Sequence, residues 1–214
     1  DRVIAVGGVV RIANSCEVNE GKITKVNLPT EMIPRIQVLE YIRAFLLGRM
    51  AWSRLNGLIL ISGAFGMFDK KIAIDAGGYN HNTVGEDMEL VIRMRRYMEE
   101  RKAKYRVVYL PDPLCWTEAP SNFKILSKQR NRWTRGTAET LWIHKKLIFN
   151  PNYKFLGMVS MPFWLLFEYL APIVETTAFL YLVMMAFLGI LNVDLFIVLF
   201  ILIYAFAIMY STAA

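Results

Sequence analysis

Two groups of polar residues in this chain have the types and spacing for proton transfer and anion binding. In Gly85-Glu86-Asp87 a pair of carboxylates opens a predicted helix, where a carboxylate can accept a proton from a hydroxyl. The positive end of a helix favours acidic residues there without any chemistry, so the pair alone leaves both readings open. The helix end favours the charged form and a dry site disfavours it; Asp87 is expected to be ionised at rest. Gln129, Arg132 and Trp133 are spaced i, i+3 and i+4 and share one helix face. A guanidinium forks onto phosphate, and an indole covers the apolar side of a sugar ring or fills a core. A solvated basic helix with one inward Trp would carry the same residues, and Arg130 falls on a different face, suited to a membrane surface. Ser62-Gly63-Ala64-Phe65-Gly66 is either a backbone shelf for a ligand or a tight turn with one core Phe. His81 and His144 have no partner at ligand spacing and read as a loop residue and a helix-surface residue. Cys16 and Cys115 read as reduced and structural, with neither zinc nor disulfide spacing.

The elements that must position these residues follow from periodicity. Arg2 to Val6, Val9 to Ala13 and Lys22 to Val26 read as short strands separated by Gly7-Gly8 and Asn19-Glu20-Gly21. Ile36, Leu39, Ile42, Leu46 and Met50 predict the inner stripe of an amphipathic helix. Leu58 to Ile61 predicts a buried strand. A short helix from Lys70 is expected to stop at Gly77-Gly78, and one from Gly85-Glu86-Asp87 to run to about Arg101. Tyr105 to Leu110 predicts a strand, Pro111-Asp112-Pro113 a turn, and Ser121 the N-cap of a long basic helix.

Charge divides the chain. From Phe155 to Ala214 the ionisable carboxylates are Glu168, Glu175 and Asp194, with no Lys or Arg. Ile173 to Leu191 and Leu195 to Ala214 each approach the ~20 residues that span a bilayer, joined by Asn192-Val193-Asp194. Phe155 to Ala171, broken by Pro162 and Glu168, predicts an interfacial or re-entrant helix. Lys124, Lys128, Arg130, Arg132, Arg135, Lys145, Lys146 and Lys154 crowd the preceding stretch, which places that side in the cytoplasm. The net charge of +7 fits a membrane surface or a phosphorylated substrate. Nucleic acid is set aside, because no aromatic and basic surface strand of the RNA-binding kind is evident. The chain opens at Asp1 in a strand pattern without Met or signal peptide, so it is expected to begin inside a domain.

In this order, Ser62 to Gly66, Glu86-Asp87, Trp116-Thr117-Glu118, Gln129-x-x-Arg132-Trp133 and then apolar helices resemble the processive, membrane-integrated glycosyltransferases of family 2: cellulose, hyaluronan and poly-N-acetylglucosamine synthases. The resemblance runs from about Asp1 into the first expected span. It implies an α/β fold, part of a GT-A-type (Rossmann-like) domain at 1–150, then an interfacial or re-entrant helix at 151–172 and a transmembrane hairpin at 173–214. It implies a multi-pass protein of the plasma or inner membrane with its catalytic part in the cytoplasm.

By the same resemblance Asp87 is the general base, supported by Glu86. Gln129 and Arg132 lie near the donor pyrophosphate, and Trp133, Phe65, Gly63 and Ala64 lie beside the acceptor. The implied reaction is an inverting transfer from a nucleotide-sugar, usually a UDP-sugar, to a growing polysaccharide. It implies a divalent metal (Mg or Mn), with the nucleotide-binding strand and a DxD-type metal motif expected before Asp1 and this chain inactive by itself. The pattern departs from the family at Gly85, where Thr is common. Two other readings remain: a non-processive transferase acting on a lipid-linked acceptor, and a non-catalytic membrane scaffold.

Overall fold

The computed structural model describes residues 2–213. Asp1 and Ala214, the outer ends of the expected catalytic part and second span, lie outside the described residues. The chain forms two compact units, 1–163 and 164–214.

The first unit is a mixed α/β structure around a three-stranded sheet in the order β4-β1-β5. The central strand β1, Arg2–Ile12, is Val- and Ile-rich and mostly buried. It pairs in parallel with β5, Tyr105–Thr117, and antiparallel with β4, Gly66–Phe68. Gly7-Gly8 does not break β1, contrary to expectation. A Cβ on Gly7 would stand 2.9 Å from Ile61 and 3.1 Å from Tyr109, and one on Gly8 would overlap the Phe65 ring. These glycines let neighbouring side chains lie against the backbone of the central strand.

β5 also runs further than expected. Pro111-Asp112-Pro113 does not end it: Gly8 pairs with Leu110 and Val10 with Cys115, so 111–114 leave the ladder as a bulge and the strand resumes. Prolines lack the ladder donor and are tolerated in such an excursion. The hairpin of β2, Glu17–Asn19, and β3, Lys22–Lys25, stands on its own and is largely exposed.

Residues 32–54 wind continuously as α1, Met32–Glu40, a π-helical stretch, Tyr41–Gly48, and α2, Arg49–Arg54. The expected inner stripe holds only in its second part, where Leu46 and Met50 pack against the core. Ile36, Leu39 and Ile42 are exposed, whereas Gln37, Tyr41, Arg49 and Ser53 are buried. Wider π turns keep a four-residue row on one side and carry a 3.6-residue stripe away from it.

Leu58 to Ile61 is buried but is not a strand. The position beside β5 is taken by side chains. The Asn56 amide accepts from Val107 N (3.1 Å) and donates to Tyr105 O (3.0 Å), and the Ser53 hydroxyl accepts from Tyr109 N (2.9 Å). Arg95 takes the Leu58 and Asn56 carbonyls.

Asp69 caps α3, Lys70–Asp75, which ends before Gly77 and Gly78, both at positive φ. α4, Glu86–Glu100, buries Leu90, Val91 and Met94 against the sheet. The long helix α5, Phe123–Ile143, starts one residue later than expected, with Asn122 as N-cap accepting from Ile125 N at 2.9 Å. After it, 156–163 continues as a π turn and the short α6, Met161–Phe163, with Leu156 and Met161 fully buried. Trp52 packs on Phe155 and Phe163.

In the second unit Trp164–Tyr169 is π-helical, followed by α7, Ala171–Phe187, and α8, Val193–Ala213. Most of the described apolar side chains of α7 and α8 are exposed, Phe187 at 88 %, with Leu182, Val183, Met185 and Phe196 half-buried. Among the described residues no single helix is long and apolar enough to cross a membrane; Leu156–Tyr169 and Ala171–Phe187 reach that length and apolarity only as a bent pair.

Candidate functional site

Asp87 sits in the first turn of α4, half-buried, with Glu86 beside it exposed to solvent. Its Oδ2 accepts the Gly63 N–H at 3.0 Å, and its Oδ1 accepts from Met88 N at 2.7 Å. The structure thus joins two of the groups marked in the sequence, the carboxylate pair and the small-residue turn. An added Cβ at Gly63 would stand 3.5 Å from that Oδ2. The turn is open: Gly63 and Ala64 are exposed, and Phe65 reaches back over Gly8 and is half-buried. These two backbone N–H groups fix the direction of the carboxylate.

The second group comes close through a pair of glycines. A Cβ on Gly85 would stand 2.7 Å from Gly136 O, and one on Gly136 would stand 2.9 Å from Gly85 Cα. The start of α4 and the middle of α5 therefore touch backbone to backbone, with Arg132 and Trp133 within a turn of the contact. The Gly85 departure from the family pattern is where a larger side chain would push α5 away.

On α5, Trp133 is half-buried with its ring 6.2 Å from Phe45, Gln129 is half-buried, and Arg132 is exposed with no ion pair among the described residues. Gln129 Oε1 is sealed from solvent without a hydrogen-bond partner. Arg130, expected at a membrane surface, is engaged within the first unit. It forks onto Glu40 and lies 4.5 Å over the Trp133 ring, fixing the indole between two helical segments. Among the described residues no hydrogen bond or ion pair joins Asp87 directly to Gln129, Arg132 or Trp133.

Several residues at the site lie outside the motifs marked in the sequence. Arg49 is 7 % exposed, lies 4.2 Å over the Phe45 ring and 5.8 Å from that of Tyr109, and its Nη1 has no hydrogen-bond partner. Burial pulls its guanidinium down from the ordinary value, against Tyr109 first and then Asp87 and Tyr41. Burial also raises the Tyr109 hydroxyl and the Cys115 thiol, which keeps Cys115 protonated and inert. The four-residue row Gln37, Tyr41, Phe45, Arg49, Ser53 was the signal available for Arg49.

His144 is buried rather than on the helix surface, because its ring reaches Glu89. Burial raises the Glu89 carboxyl, but bonds from His144 and Arg93 more than offset this and hold it below its ordinary value. Glu139 on α5 accepts from the Thr83 hydroxyl (2.9 Å) and Val84 N (3.0 Å), and Arg135 and these two donors hold its carboxyl low. Among the described residues no three His, Cys, Asp or Glu side chains surround a common point. The residues present do not by themselves fit the implied divalent metal, and no step below passes through one.

The sequence model for "Glycosyl transferase family group 2" matches residues 34–211. A poly-beta-1,6-N-acetyl-D-glucosamine synthase of Staphylococcus aureus is 30 % identical over 119 residues, covering 55 % of this chain and 27 % of that protein. Chitin synthase 8 of Mycosarcoma maydis is 25 % identical over 184 residues, covering 76 % of this chain and 9 % of that protein. The chain thus spans about a quarter, or less, of the length of these relatives.

Proposed function

Since the chain belongs to glycosyl transferase family group 2, we propose that it forms the acceptor-side part of an enzyme that transfers a sugar from a nucleotide-sugar, a UDP-sugar, to a growing polysaccharide. The observation that carries this reading is the Asp87 carboxylate, held at 3.0 Å by Gly63 N–H on an open small-residue turn at the start of a helix. Its relatives named above make such polymers, and its mixed α/β unit is consistent with a GT-A-type domain.

The chemistry follows from the groups present. An acceptor hydroxyl attacks the anomeric carbon, Asp87 takes its proton, and the nucleoside diphosphate leaves from the opposite face, inverting the centre. Preorganised positive charge must meet the charge that develops on the leaving oxygen; Arg132 supplies it, with Gln129 beside it. Glu86 supports Asp87. Trp133 and Phe65 offer ring surface to the acceptor sugar, and Gly63 and Ala64 leave room for its backbone-side approach.

The membrane reading rests on α7 and α8. Helices apolar all round and mostly exposed require an apolar environment, and the basic stretch before them favours the cytoplasmic side. On this reading the catalytic part stands in the cytoplasm at the plasma or inner membrane.

The test uses membranes carrying the full-length protein and a panel of UDP-sugars, reading UDP release and labelled polymer with and without Asp87→Asn. One sugar that yields high-molecular-weight product in the wild type alone is the expected result. Polymer made equally by the Asp87→Asn protein would refute the role of Asp87. A single sugar on a lipid would shift the assignment to a lipid-linked acceptor.

A further inference from the structure

Two rows of residues face each other where α4 begins and α5 ends. Gly85, Glu89 and Arg93 follow at four-residue steps along α4, and Gly136, Thr140 and His144 do so along α5, so each row lies on one side of its helix. At one end the rows meet through Gly85 and Gly136, backbone to backbone. At the other, Glu89 Oε1 accepts from Arg93 Nε (2.9 Å) and Nη2 (2.6 Å) and bonds His144 Nε2 at 3.1 Å. Glu89 is 0 % exposed and His144 3 %. Glu139, one residue before Thr140, adds a third tie through Thr83 and Val84, and Arg135 steadies it at 2.7 Å.

A buried carboxylate and its polar partners are a poor way to gain stability, since well-packed apolar side chains of similar volume do as well or better. Apolar side chains, however, lack direction. Two helices joined by glycines and Leu can slide or roll past one another, whereas the Glu89 and His144 bond is made in one register. Asp87 stands midway between Gly85 and Glu89, and Arg132 and Trp133 stand within one turn of Gly136. Whatever fixes these rows fixes the distance between the carboxylate and the guanidinium.

We propose that Glu89 and His144 are positioning residues that set α4 in register with α5 and so hold Asp87 in place relative to Arg132 and Trp133. The inference rests on Asp87 being the base. A displacement of about 1 Å at reacting groups costs on the order of a hundredfold in rate, so a lost register appears in turnover before it appears in folding.

The test replaces the pair together, Glu89→Leu with His144→Leu, in the full-length membrane protein, beside Asp87→Asn. The expected result, read on folded protein because Arg93 loses its Glu89 partner, is a donor KM within about twofold and kcat for transfer down about tenfold or more. Wild-type kcat in the folded double variant, or a loss that tracks the folded fraction alone, overturns the proposal. Should the double variant not fold, Glu89→Gln, His144→Gln and their combination are compared on folded protein. A combined kcat loss no larger than either single loss supports one working unit; additive losses, or none, overturn it. Normal transfer by Asp87→Asn refutes the reading of the base itself, which is a different result from an active Leu pair beside an inactive Asp87→Asn.

Discussion

Two buried arginines lie in the first unit, and their surroundings are opposite. Arg95, 1 % exposed, gives its guanidinium to the Leu58 and Asn56 carbonyls and to the Tyr105 hydroxyl. Arg49, 7 % exposed, rests on the Phe45 ring, has an unpartnered Nη1, and feels the charge of Asp87. The first cation ties a loop to a helix and satisfies its donors in doing so. The second is kept out of water with Tyr109 as its main polar neighbour and one nitrogen left without a partner, which burial makes costly. Buried charge that is fully bonded serves the scaffold, and incompletely bonded buried charge near an acidic group is a candidate for function.

This contrast can be broken in order of expected effect. Arg95→Met strands two carbonyls, leaves the Tyr105 hydroxyl only its bond to Glu99, and is expected to cost about 3–5 kcal/mol of stability, read by chemical denaturation; a loss under about 1 kcal/mol would end its role as scaffold. Asp87→Asn is expected to lower transfer about a thousandfold, near the middle of the range for a lost general base, with the melting temperature unchanged. Arg49→Met strands no acceptor, so its stability is expected to stay within about 1 kcal/mol of wild type while transfer falls about tenfold. The reverse pattern, unstable but fully active when folded, would make the two arginines alike. Trp133→Ala is expected to weaken acceptor use by about 1–2 kcal/mol and donor binding less; equal losses would make the indole plain packing.

The smallest effect concerns pH. Burial, with Arg95 opposing it, pushes the Tyr105 hydroxyl up to about 12. The unfolded chain loses that proton first, so the contribution of Tyr105 is present below pH ~10 and is lost as pH rises through about 12. Tyr105→Phe should flatten the stability curve over that alkaline window. An unchanged curve would place the titration elsewhere.

Much of the frame was legible in the sequence because its signals are local. Glu86-Asp87 opens α4 as the helix end favours, Gly77-Gly78 closes α3, and Gln129, Arg132 and Trp133 do ride one helix. What was not legible depends on partners far away in sequence. Gly7-Gly8 looks like a turn until Ile61, Tyr109 and Phe65 are seen lying against it. Leu58 to Ile61 looks like a strand until Asn56 and Ser53 are found in the strand's place. Arg130 and His144 look like surface residues because Glu40 and Glu89, which hold them, stand 90 and 55 positions away. The contact between Asp87 and Gly63 likewise spans 24 positions; each group was visible by itself and their meeting was not.

The amide of Asn56 and the hydroxyl of Ser53 occupy the backbone groups of Tyr105, Val107 and Tyr109 that another chain would need for strand addition. Open strand rims recruit neighbours and seed aggregates. Over that stretch the sheet is closed to such recruitment by two small side chains from a helix end, so Asn56→Ala or Ser53→Ala would expose a sticky edge as well as remove a bond.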